Sequence, residues 1–275
     1  MKRNNIFKRI KWKNIWLLLF LLISIFMLFF SLLKIINWKK DSYNTNIQVN
    51  ELVNIADITE NNENYEIINQ EDKIEDDPYW DYIKMNLINV NFDELEKRNS
   101  DVTGWIQVNG TIINYPFVQT KDNNFYLVHS FDKSYNEAGW VFLDYRNDLN
   151  NLDKNTIIYA HGREDNTMFG SLKNILQSNW TKDKDNFVIK LSTKTENTLW
   201  QVFSIYRIPT TNDYLKINFD ENNDFLEFAN MLLARSNFNF NTSINANDKI
   251  LTLSTCYNLQ DKVVLHAKLI KIEKR

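Results

Sequence analysis

The chain has 275 residues, 44% of them hydrophobic, which is room for one or two domains with a real core. Its net charge of -3, with no basic cluster beside an aromatic platform, argues against a nucleic-acid partner. A single cysteine rules out an intramolecular disulfide.

Residues 15–33 read IWLLLFLLISIFMLFFSLL, 19 residues without a charge. That is long enough to cross a bilayer core as a helix. Six basic residues precede the run (Lys2, Arg3, Lys8, Arg9, Lys11, Lys13) and three follow it closely (Lys34, Lys39, Lys40). The positive-inside rule then predicts a cytoplasmic tail (1–14), a membrane anchor (15–36) and an external remainder. A cleavable signal peptide would have a shorter apolar run ending in small residues, whereas this one ends Leu32-Leu33-Lys34.

Residues 37–77 are expected to form a flexible stalk. From residue 41 to 77 there are eleven acidic residues and one basic one, with frequent Asn and poor apolar periodicity. Such a segment adds no core, so its removal should cost little stability.

A globular domain is predicted over 78–275. Asn91 can cap a helix, with Glu94 as the acid of a capping box and Leu87, Ile88, Phe92 and Leu95 as its apolar stripe. Strand-like runs follow at 104–108, 111–118, 139–143 and 156–159. Residues 167–176 read as a helix, and 187–191 and 199–206 as strands. Phe225, Phe228, Ala229, Leu232 and Leu233 have helical spacing. Runs at 250–255 and 263–272 close the chain as strands. Many short strands with a few helices predict a mainly β fold with peripheral helices, a mixed and largely antiparallel barrel.

Cys256 ends the run Ile250-Leu-Thr-Leu-Ser-Thr-Cys256 and precedes a polar stretch. A thiol at a strand exit is either a small buried hydrophobe or a nucleophile on a rigid support. A nucleophilic thiol needs a base or a cation, because the thiolate is the reactive form. Of the three histidines, His161 sits at a strand end before a polar loop, in Ile157-Ile-Tyr-Ala-His161-Gly162. His129 reads as a surface or packed residue, and His266 as a structural one inside the last strand. A third group should stabilise charge on an acyl intermediate, and Lys262 opens the strand that would pair beside the cysteine. One Cys and three scattered His lack zinc spacing, and no glycine-rich phosphate loop or G-x-S-x-G elbow is present. No metal or cofactor is therefore expected.

Thr252-Leu-Ser-Thr-Cys256 resembles the T-L-x-T-C motif of sortases. Asp101-Val-Thr-Gly-Trp105-Ile106, Tyr115-Pro-Phe-Val-Gln119, Phe142-Leu-Asp-Tyr-Arg146, Tyr159-Ala-His161-Gly and Met168-Phe-Gly-Ser-Leu172 resemble class B sortases, in the family's order. The resemblance covers residue 80 to the end and implies an eight-stranded sortase barrel with a helical insertion at 220–236. It implies a membrane-anchored cysteine transpeptidase that cleaves the C-terminal sorting signal of an exported surface protein. The acyl-enzyme would pass to an amine of a peptidoglycan precursor or pilin. By motif, Cys256 takes the nucleophile's place and His161 the acid/base place. Tyr159, Ser254, Thr255, Tyr257, Asn123 and Leu127 fall among the substrate-binding positions, and the Tyr257 N–H is implied in the oxyanion hole. The chain departs from the family where a catalytic Arg is expected, since alignment of the final strand puts Lys262 there, with Arg163 and Arg207 as other possible cations. His161-Gly162 also replaces the usual His-Asn. The alternative reading is a sortase-like protein of reduced or no activity that binds peptide or wall material. An L,D-transpeptidase would need an S-H-G-C run, and a papain-like protease would carry its cysteine near the start of the domain.

Overall fold

The computed structural model describes residues 12–61, 66–67, 79–150, 152–177 and 179–275. Two compact units are present, Met1–Asp41 and Ser42–Arg275. The first contains most of α1 (Trp12–Ile55), whose apolar side chains between Ile15 and Ile36 are exposed. Among the described residues this is one helix long and apolar enough to cross a membrane.

The second unit is built on eight strands: β1 (Val102–Val108), β2 (Asn114–Val118), β3 (Phe142–Leu143), β4 (Asn155–Tyr159), β5 (Val188–Thr193), β6 (Glu196–Pro209), β7 (Ile250–Cys256) and β8 (Asp261–Lys274). Their order is β7-β4-β3-β2-β1-β5-β6-β8, and β7 pairs with β8 to close the ring. The β4–β7 and β2–β3 pairs are parallel and the other ladders antiparallel, so the barrel is mixed. Closure leaves no long open edge among the eight strands. A two-residue strand, Glu66–Ile67, adds to the far end of β8. Trp105, Ile106, Phe117, Ile158, Leu191, Trp200, Leu253 and Leu265 belong to one continuous buried core.

The helices follow the sequence less closely. Asn91 accepts from the Asp93 N–H (3.0 Å) at the start of α3 (Asp93–Arg98), which follows the short α2 (Tyr79–Tyr82); Glu94 reaches Lys97 rather than back to the cap. The run at 167–176 is a 3-10 helix over Gly170–Leu176, because positive φ at Asn166 and Met168 delays its start. In α4 (Asn222–Ala234), Phe225, Phe228, Ala229 and Leu232 form a buried stripe with Phe203, Tyr206, Ile250 and Val264 of β6, β7 and β8.

Within the expected stalk, residues 37–61 differ most from expectation. Residues 42–55 continue α1, and Thr45, Leu52 and Ala56 are fully buried, with Val49 packed against the core. The spacing 45, 49, 52, 56 is a narrow stripe on one helix face. The acidic residues around it obscured that stripe in the sequence, and its first member is a threonine. Residues 62–65 and 68–77 of the expected stalk lie outside the described residues. Leu52→Ala should therefore destabilise the domain by about 2–5 kcal/mol, the range for a buried Leu truncation. Urea unfolding checks this, and an unchanged midpoint would show that the helix end carries no core.

Candidate active site

Strands β4 and β7 run parallel, with Tyr159 opposite Ser254. His161 and Cys256 each lie two residues further on, so the register brings both to the same rim of the barrel. Thr255 extends the seam by donating its Oγ1 hydrogen to the Ala160 carbonyl (2.8 Å). Gly162 presses on the other strand end: a Cβ there would lie 2.0 Å from the Cys256 carbonyl oxygen. No side chain larger than that of glycine fits at 162 on this backbone.

The third member comes from the β7–β8 hairpin. Its ladder places Lys262 opposite Cys256, and Lys262 Nζ donates to Cys256 Sγ at 3.0 Å. The cysteine is half-buried. His161 Nε2 lies 2.7 Å from the Leu127 carbonyl. A carbonyl only accepts, so Nε2 carries a proton, and Nδ1 is the nitrogen left to exchange one.

These groups share a cavity of about 440 Å³. Cys256, His161, Lys262, Tyr159, Ser254, Thr255, Asn123 and Leu127 all line it, which unites eight of the nine residues named from sequence. Tyr257 is the exception. Its N–H donates to the Asp261 carbonyl (2.8 Å), and its ring lies under the Arg207 guanidinium (3.9 Å). The tight turn between β7 and β8 thus uses the N–H that the resemblance implied for an oxyanion hole. The two other candidate cations are engaged elsewhere. Arg207 pairs with Asp261, and Arg163 is buried against Ser42 and Asp165.

Sequence reasoning gave no role to the network that holds two lining residues, Tyr159 and Asn123. Asp144 is fully buried and accepts from Arg146 Nε and Nη2 (both 2.8 Å), the Tyr159 hydroxyl (2.9 Å) and Asn123 Nδ2 (3.2 Å). Burial alone would raise its pKa, but the Arg146 and Tyr159 bonds outweigh it and hold the carboxyl below its usual range. Tyr159 moves the other way, its hydroxyl pushed well up by burial and by Asp144. The network fixes Tyr159 and Asn123; the i, i+2 pairing of Asp144 and Arg146 was its signal in the sequence. Tyr214 and the 210–212 segment complete the wall, with Tyr214 hydroxyl 3.0 Å from Ser254 Oγ.

The remaining histidines stand apart. His266 is buried between the Tyr206 hydroxyl and Thr252 Oγ1, each 2.9 Å away, and burial lowers its pKa to about 3, so it is neutral. His129 stacks on Phe125 with centroids 4.0 Å apart.

The sortase domain family model matches residues 106–270. The chain is 38% identical to sortase B of Staphylococcus aureus over 186 residues, covering 66% of this chain and 75% of the relative. A solved Staphylococcus aureus sortase B–substrate complex matches at 37% identity and TM-score 0.61, over 66% of this chain and 84% of that one. Sortase B from Bacillus anthracis matches at 30% identity and TM-score 0.67, over 86% of this chain and 99% of that one. With the closed eight-stranded barrel and the single cysteine at its rim, the chain belongs to the sortase family, in its class B, and is a cysteine transpeptidase acting on proteins that bear a sorting signal.

Proposed function

We propose that Cys256, His161 and Lys262 carry the transfer, and that it occurs on the outer face of a bacterial membrane in which residues 15–36 are the anchor. The contact of Lys262 Nζ with Cys256 Sγ at 3.0 Å, in one cavity with His161, carries the reading. The Cys256 thiolate attacks the carbonyl carbon of the scissile bond. Lys262 offers its ammonium first to the thiolate and then to the oxyanion. The C–N bond breaks as His161 passes a proton from Nδ1 to the leaving amine, which leaves a thioester on Cys256. An amine of a peptidoglycan precursor or pilin subunit then attacks the thioester, His161 takes up its proton, and the thiolate is released. Tyr159, Asn123, Leu127, Ser254 and Thr255 hold the signal peptide along the cavity.

The excess of basic residues before the apolar run supports an inside N-terminus and an outside domain. One experiment tests location and activity together. Intact protoplasts carrying the full chain receive a sorting-signal peptide and a short oligoglycine amine in the medium. Ligated peptide should appear outside. Product only after lysis would contradict the orientation, and no ligated product in either case would contradict the transfer.

A further inference from the structure

Two loops seat His161, and the end of α1 is bonded to both. The first loop spans residues 126–140. Its Leu127 carbonyl holds His161 Nε2, and Gly139 lies against the imidazole. A Cβ on Gly139 would lie 2.6 Å from the Tyr126 carbonyl and 3.0 Å from His161 Cδ2, so the loop fits closely around the ring. Buried Asn136 braces this loop: its Nδ2 donates to Ser130 Oγ (2.9 Å) and to Thr45 Oγ1 of α1 (3.1 Å), and its Oδ1 accepts from the Ala138 N–H (2.8 Å). Gln48 of α1 adds a second tie by accepting from the Phe131 N–H (3.2 Å).

The second loop follows His161 directly. The His161 carbonyl accepts from the Phe169 N–H (3.0 Å), and Gly162 bridges to Met168. At the loop's centre Asp165 accepts from the Thr167 N–H (3.1 Å), Thr167 Oγ1 (2.6 Å) and Arg163 Nη2 (3.3 Å). Ser42 of α1 closes the cluster, donating to Asp165 Oδ2 and accepting from Arg163 Nη2 (2.6 Å). Burial alone would raise the Asp165 pKa, but the Ser42 and Thr167 bonds and the Arg163 charge keep it below its usual range. Asp165 therefore stays ionised near neutral pH and keeps its hold on Ser42.

We propose that Ser42 and Thr45 of α1 are positioning residues for His161. Ser42 fixes the loop that carries its backbone, and Thr45 fixes the loop that carries the acceptor of its Nε2–H. The inference rests on the acid/base role given to His161 above. Neither residue touches the cavity, and the loop that Ser42 fixes carries none of the peptide-holding residues, so Ser42 acts on the rate of proton transfer rather than on peptide binding. Small displacements of a reacting group are costly in rate, which makes a remote tie measurable.

The test uses the full-length chain in detergent, with a fluorogenic sorting-signal peptide. Ser42→Ala should lower kcat roughly 10-fold with KM unchanged, by loosening the His161 loop. Ser42→Thr keeps the hydroxyl and should restore the rate. In a His161→Ala background Ser42→Ala should have no further effect, because its route to the reaction is gone. A wild-type kcat in Ser42→Ala, or the same fold loss in both backgrounds, would overturn the proposal and leave the role of His161 standing. A wild-type rate in His161→Ala alone would remove that role and this proposal with it.

Discussion

Cys256→Ala should abolish turnover, and His161→Ala should lower it at least about 100-fold, the lower end for a lost general acid/base. Cys256 is the only thiol in the chain, so no neighbouring sulfur can stand in for it. Its side chain is half-buried at a strand end, and Cys→Ala there removes one small group without opening the core. His161 is replaceable only by another proton carrier. His129 is stacked on Phe125, and His266 is neutral, buried and doubly hydrogen-bonded, so neither can take over. Initial rates with a cleaved fluorogenic peptide decide both variants. Near-normal turnover in either would remove that residue from the mechanism.

Lys262→Ala should lose about 10²-fold in rate, the scale of one missing oxyanion donor. The ladder holds Lys262 opposite Cys256, and its ammonium reaches the sulfur. Arg207 is bound to Asp261 and stacked on Tyr257, while Arg163 is buried in the Ser42–Asp165 cluster, so among the described residues no second lysine or arginine lines the cavity. Lys262→Arg should keep the activity or raise it, because a guanidinium holds two acceptors in one plane where an ammonium acts as a point charge. If Lys262→Ala turns over at the wild-type rate, the lysine is a solvated residue at a turn, and the charge on the intermediate is met by another group.

The barrel was legible because its strands carry their own signals. The runs at 104–108, 156–159, 250–255 and 263–272 all fall within observed strands, and the stripe from Phe225 to Leu232 marks α4. The run at 111–118 begins late, at Asn114, because the turn at Gly110 takes up the residues before it. Cys256 and Lys262 could be matched from sequence, since a hairpin with a short turn pairs its own ends. The parallel register that levels His161 with Cys256 could not, because it joins residues 95 apart and no local pattern encodes it. Two features were hidden by chemistry rather than distance. The stripe 45, 49, 52, 56 starts with a threonine amid acids, and a buried threonine needs a partner, Asn136, that only the fold supplies. The Tyr257 N–H is spent on Asp261 because the turn is tight, which a motif cannot show.

The most direct test of a thiol mechanism at the barrel rim is mass spectrometry of the full chain trapped with a sorting-signal peptide and no acceptor amine. The expected result is a thioester adduct of the cleaved peptide, mapped to Cys256 and absent from Cys256→Ala. Peptide cleavage by the wild-type chain with no adduct on Cys256, or an adduct that persists in Cys256→Ala, would contradict it.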